Sequence, residues 1–233
     1  MAVGRLLAVA ILFLAAACSS APKPPQQLSY MAIGASDAVG IGAFPLDRGY
    51  VYRIRDELRR NVERVDLLNL GIPGASAEME AQVVRTALDA GKRPGLVTIW
   101  LGGNDVVDGV APKDFETHLE DILDRLRKRT DAVIAVANLP DLSRTPRFQQ
   151  NPSPNVTPAR IQAFNAAIAR QVKDHDALLV DLANRFGDLS ELTSDIDGYH
   201  PNSGGHAVVA SAFLAEIEPA LGIRPKVALS AGR

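Results

Sequence analysis

From residue 28 onward the chain alternates between two hydrophobic periods. Short apolar runs recur at 30–34, 65–71, 96–101, 132–137 and 178–182. Each is built on Val, Ile or Leu and stops near Gly, Asn, Asp or Pro, the pattern of strands buried on both faces. Helical spacing fills the gaps. Residues 50–61 put Tyr50, Ile54 and Leu58 on one face with charged residues opposite, and 75–90 and 112–128 follow. Residues 158–174 open with Pro158 and carry Ile161, Phe164, Ile168 and Val172 at helical spacing, and a last helix over 203–221 is ended by Gly222. Strand–helix alternation five times over predicts an α/β domain, a parallel sheet covered on both faces, spanning 29–222 with a tail at 223–233. Residues 142–157 fit neither period. They hold Pro146, Pro152, Pro154, Asn151 and Asn155 and predict a long loop leaving the carboxyl end of the fourth strand. That is the edge where open α/β sheets bind ligands.

Composition narrows the function classes. The 233 residues are 47% hydrophobic and 22% charged, with a net charge of -2 and no basic run, which argues against nucleic-acid binding. The single cysteine, Cys18, leaves no intramolecular disulfide and no metal site built on several thiolates.

The N-terminus reads as targeting. Arg5 precedes an apolar run over 6–17 that is short for a bilayer span. A positive start, an apolar stretch and small residues describe a secretory signal over 1–17. The run ends Ala15-Ala16-Ala17-Cys18-Ser19-Ser20, which resembles the lipobox of bacterial lipoproteins, with Ala15 at the usual leucine position. That resemblance implies lipidation at Cys18. The other reading is a plain signal cut in the Ala-rich segment. The Pro-rich, polar stretch within 18–28 then predicts a semi-rigid tether holding a domain off a membrane. Together these place the protein in the cell envelope, exported across the inner membrane and facing the periplasm.

Four segments carry chemistry. Ser36 follows a predicted strand and is flanked by Gly34, Ala35 and Gly40, small residues that allow a sharp turn with an exposed hydroxyl. His200 stands in a polar loop before the last helix, where it can serve as general base, and Asp197 three residues earlier can orient it. Gly71 and Asn104 end the second and third predicted strands and offer a backbone N–H and a side-chain amide, with the Ser36 N–H as a third oxyanion donor. Taken singly, each segment also fits a turn or a helix cap. Ser36, Gly71 and Asn104 all fall at the carboxyl ends of successive strands, which parallel pairing brings together. A metal site from His200, His206 and Asp197 is the weaker alternative.

In this order Ser36, Gly71, Asn104 and His200, with Asp197 completing an Asp-x-x-His block, resemble the SGNH hydrolases, also called GDSL-type esterases and lipases. The resemblance spans residues 30 to 221. It implies a flavodoxin-like three-layer α/β/α fold with a five-stranded parallel sheet, and a Ser-His-Asp hydrolase with no metal or organic cofactor. The usual Gly-Asp-Ser reads Gly34-Ala35-Ser36 here, so the carboxylate that braces the turn is missing, and Asp37, which follows the serine, is expected to replace it only in part, from a different position. The expected reaction is hydrolysis of short-chain acyl, aryl or thio esters through an acyl-enzyme on Ser36. Lysophospholipid is a further possible substrate. The alternatives are an O-deacetylase of envelope polysaccharide and a non-catalytic glycan-binding lipoprotein.

Overall fold

The computed structural model describes residues 23–223. The signal segment, Cys18 and the first part of the tether lie outside the described residues. Five strands, β1 (Gln27–Gly34), β2 (Arg64–Asn69), β3 (Leu96–Trp100), β4 (Val133–Ala137) and β5 (Leu178–Val180), form one all-parallel sheet in the order β2-β1-β3-β4-β5. This is the expected three-layer α/β/α architecture. The sheet begins two residues inside the span read as tether, because Leu28 already packs into the core.

The helices are α1 (Ser36–Val39), α2 (Tyr50–Leu58), α3 (Ala77–Asp89), α4 (Gly103–Val107), α5 (Pro112–Arg129), α6 (Pro146–Gln150), α7 (Pro158–Asp174), α8 (Leu189–Leu192) and α9 (Ser203–Ala220). The long ones match the predicted helices to within a few residues, since their starts are written locally. Ser76 accepts from Met79 N and Thr157 from Arg160 N, and Pro112 and Pro158 occupy first turns. Helices α3, α5 and α7 line one face and α2 and α9 the other. Phe115 meets Phe164 at 4.7 Å on the first face, and Tyr50 stacks on Phe213 at 5.6 Å on the second. All five residues of β3 are buried, as a central parallel strand requires.

Strand order reverses direction between β1 and β3, which opens a crevice at their carboxyl ends. The segment 142–157 is not a structureless loop. It folds into a 3-10 turn, Leu142–Arg144, and the short helix α6. Asp141 caps the turn through Ser143, Pro146 starts the helix, and Phe148 anchors it in the core.

Candidate active site

The nucleophile turn leaves β1 at Gly34. A Cβ there would lie 3.0 Å from Ala38 Cβ and 3.1 Å from the Trp100 carbonyl, so the strand end has no room for a side chain. Ser36 opens α1, and Gly40 ends it in the left-handed region at φ 99°. The Gly40 and Ile41 N–H groups both donate to the Ser36 carbonyl. The turn is braced from β2: Asn69 Nδ2 donates to the Ala38 carbonyl at 2.7 Å. Among the described residues the Asp37 carboxylate interacts with its own N–H alone, so the partial bracing expected of it stays local, and the tie to the neighbouring strand comes from Asn69. Asp37 also lines the cleft described below.

His200 reaches the same crevice from 164 residues away. Its Nε2 stands 2.8 Å from Ser36 Oγ, and its Nδ1 stands 2.5 Å from Asp197 Oδ2. With Nδ1 against a carboxylate, the network assigns the hydrogen to Nδ1 and leaves Nε2 to accept from the serine hydroxyl. Asp197 Oδ1 also accepts the Tyr199 and His200 N–H groups, at 2.9 and 3.0 Å. Burial raises the Asp197 carboxyl, but these bonds outweigh it and hold it below the ordinary value, as an anion.

The loop carrying His200 is fixed on several sides. Ser194 N donates to the His200 carbonyl at 2.7 Å, and Thr193 and Pro201 form an antiparallel bridge. Asn202 caps α9 and donates its amide to the Glu191 and Thr193 carbonyls. Arg147 N, in α6, donates to the Gly198 carbonyl, and Phe148 meets Tyr199 edge-on at 5.8 Å. Gly42, at φ 94°, sits so close behind the loop that a Cβ would lie 3.0 Å from His200 Cβ. His206 is structural. It accepts from Tyr50 N at Nδ1 and donates from Nε2 to the Ile41 carbonyl, and burial lowers its pKa to about 4. Among the described residues no cluster of three or more His, Cys, Asp or Glu side chains stands ready for a metal ion.

The oxyanion donors need one correction. Gly71 does not offer its N–H to the crevice, because it donates to Asn69 Oδ1 at 3.0 Å. Its Cα is packed against α1, where a Cβ would come within 2.8 Å of Ala38. The glycine left open is Gly74, exposed at φ 81° with nothing near its missing side chain. Among the described residues neither the Gly74 nor the Ser36 N–H has a protein acceptor. Asn104 follows β3 on α4 and spends one amide hydrogen on the Ala75 carbonyl at 2.9 Å, which fixes its orientation and leaves the second free. The neighbouring Asp105 accepts Ala77 N at both oxygens, which ties α4 to the start of α3. Asn69-x-Gly71 is a side-chain turn spacing, the sequence signal that could have excluded Gly71 and exposed the clamp.

Beside Ser36 and Asn104 opens a cleft walled by Trp100, Leu139, Leu142, Phe186, Leu189 and Leu192, with Asp37, Thr145 and Tyr199 as polar members. An activated hydroxyl, a base held by an anion, and fixed N–H donors next to an apolar cleft form an arrangement suited to acyl transfer.

Residues 31–208 match the family described as GDSL-like lipase/acylhydrolase. No curated protein matches the chain in sequence. Among solved structures, the psychrotrophic esterase EstA from Pseudoalteromonas sp. superposes with a TM-score of 0.66 at 19% identity, covering 83% of this chain and 98% of that one. The lipase/acylhydrolase from Enterococcus faecalis gives 0.69 at 18% identity, covering 85% and 98%. The SGNH-hydrolase family esterase AlinE4 gives 0.61 at 23% identity, covering 84% and 97%. At these identities the likeness is one of fold.

Proposed function

The chain belongs to the GDSL-like lipase/acylhydrolase family, and from that premise we propose that it is a serine hydrolase of carboxylic esters. The observation that carries this is the unbroken hydrogen-bond chain from Ser36 Oγ through His200 to Asp197. His200 Nε2 takes the hydroxyl proton as Ser36 Oγ attacks the carbonyl carbon, and Asp197 stabilises the imidazolium. The oxyanion is held by the Ser36 and Gly74 N–H groups and the free amide hydrogen of Asn104. Collapse expels the alcohol with the proton from His200 and leaves an acyl-Ser36. Water, deprotonated by His200, then attacks the acyl carbon, and the acid leaves as Ser36 is reprotonated.

The apolar cleft favours short acyl, aryl or thio esters over bulky polymers. The three-residue relay also speaks against a glycan-binding protein without turnover, which has no use for a base aimed at a serine. A fluorophosphonate probe should label Ser36 and fail on Ser36→Ala. Absence of labelling in the wild type refutes the hydrolase reading. A panel of p-nitrophenyl esters from acetate to palmitate, beside acetylated xylan and lysophospholipid, then reads the acyl range.

Export and lipidation at Cys18 form a second part of the proposal, supported by the sequence around that residue. The protein would stand on an envelope membrane, facing the periplasm. Cys18→Ala should move it from the membrane fraction to the soluble fraction; unchanged fractionation removes the anchor.

A further inference from the structure

Asp37 is the acid in the cleft that the proposed reaction does not use. It directly follows the nucleophile, is half-buried, and lines the cleft with Asn104 and Tyr199. Among the described residues its carboxylate makes no side-chain hydrogen bond or ion pair. The carboxylate that acts on it, Asp197, is engaged with His200. The tie between the nucleophile turn and the neighbouring strand is made by Asn69, not by Asp37. Its own N–H is the partner that stabilises the Asp37 carboxylate among the described residues, and a half-buried carboxylate beside a cleft gains further from a ligand that brings a cation or an O–H.

We propose that Asp37 forms an anionic subsite beside the nucleophile, which selects esters carrying a positive charge or a hydroxyl group close to the scissile bond. The inference rests on the serine-hydrolase reading above. The charged and titratable groups facing Asp37 are His200, Asp197 and Tyr199 from the histidine loop and Tyr50 from α2. Arg147 does not neutralise it, because its guanidinium lies over the Phe148 and Tyr199 rings, 5.6 Å from each centroid. Burial raises the Asp37 carboxyl to about 6, with His200 pulling it down and Asp197 pushing it up, so it is an anion in neutral solution. Leu139, Leu142 and Leu192 line the same cleft and carry no charge.

Two ester pairs test it: acetylcholine against the neutral isostere 3,3-dimethylbutyl acetate, and glyceryl monoacetate against butyl acetate. Within each pair the acyl group and the attack are shared, so Ser36 and His200 cancel in the ratio of kcat/KM. A charge about 6 Å away at an effective dielectric near 20 gives an expected preference of at least about tenfold in one pair. That preference should collapse in Asp37→Asn and survive in Asp37→Glu. The choline arm and the glyceryl arm separate charge from hydroxyl recognition. Ratios equal in wild type and Asp37→Asn overturn the subsite. If the variants fail to fold, the wild-type ratio decides: it should rise between pH 5 and 7.5 as Asp37 ionises, and a flat ratio overturns the proposal. If no ester is turned over and Ser36 resists labelling, the hydrolase reading fails. The subsite is then judged by calorimetric titration with choline against 3,3-dimethylbutanol and with glycerol against 1-butanol, and equal affinities within both pairs overturn it.

Discussion

Replacing Asn69 by alanine removes a side chain that fastens the nucleophile turn to the neighbouring strand. Two bonds go: Nδ2 to the Ala38 carbonyl at 2.7 Å and Oδ1 from Gly71 N at 3.0 Å. The Ala38 carbonyl is buried and the Gly71 N–H half-buried, so water recovers part of the loss mainly at Gly71, and each orphaned group costs at least the low end of about 1–3 kcal/mol. A sum of about 2 kcal/mol lowers Tm by about 4–8 °C in a domain of this size, read by differential scanning calorimetry. Function should suffer more than stability. Ala38 lies two residues beyond Ser36, and a shift of about an ångström in a nucleophile costs up to about a hundredfold. The expected result is a fall in kcat of about tenfold or more on every p-nitrophenyl ester, with KM nearly unchanged, since the cleft walls are untouched. Asn69→Asp keeps an acceptor for Gly71 but loses the donor to Ala38, so it should keep the kcat defect. An alanine variant with wild-type kcat and Tm would show that the turn is held by other means, and the account of how this chain manages without the usual aspartate would be wrong.

Asn104→Ala should lose about 100- to 1000-fold in kcat, as for other single oxyanion donors, and Asn104→Asp should do no better, because it keeps the shape without the N–H; steady-state kinetics on p-nitrophenyl acetate decides. Gly42→Ala places a methyl group 3.0 Å from His200 Cβ and nearer still to the Pro201 carbonyl, so the histidine loop must shift; kcat should fall, with fluorophosphonate labelling of Ser36 slowed in proportion. Glu80 is buried and, among the described residues, neither of its oxygens has a hydrogen-bond partner, and burial raises its carboxyl from 4.5 to about 8. The folded state therefore holds a proton that the unfolded state releases from about pH 4.5 upward. This contribution is full below pH 4.5, declines as pH rises towards 8, and is flat above, a loss on the order of a few kcal/mol. Glu80→Gln should remove that slope, so its Tm advantage over wild type should grow from pH 5 to pH 8; a constant difference refutes the assignment.

The strands and long helices were legible because their information is local. Burial on both faces writes an apolar run, one-sided burial writes a helical stripe, and a proline or a capping Ser or Thr marks each start. The same holds for the pieces of the relay. A small-residue serine turn, an Asp-x-x-His loop and polar strand ends can be read one at a time, and strand–helix alternation implies that strand ends gather on one edge. The short helix α6 was missed because Pro146 breaks the period on which longer helices depend. Its purpose emerges only where Arg147 N meets the Gly198 carbonyl and Phe148 meets Tyr199.

The sequence alone thus set the class of fold, the order of its elements and the residue types available for acyl transfer. Tertiary structure decided which of them are free to act. Gly71 and Gly74 look alike in sequence, yet one N–H is taken by Asn69 and the other has no acceptor among the described residues. Asp37 was expected to brace the turn in part, yet the tie to the sheet comes from Asn69, 31 positions from the carbonyl it holds. Periodicity reports whether a residue is buried. It does not report which atom satisfies a given donor, because that partner is chosen by how separate strands and loops pack.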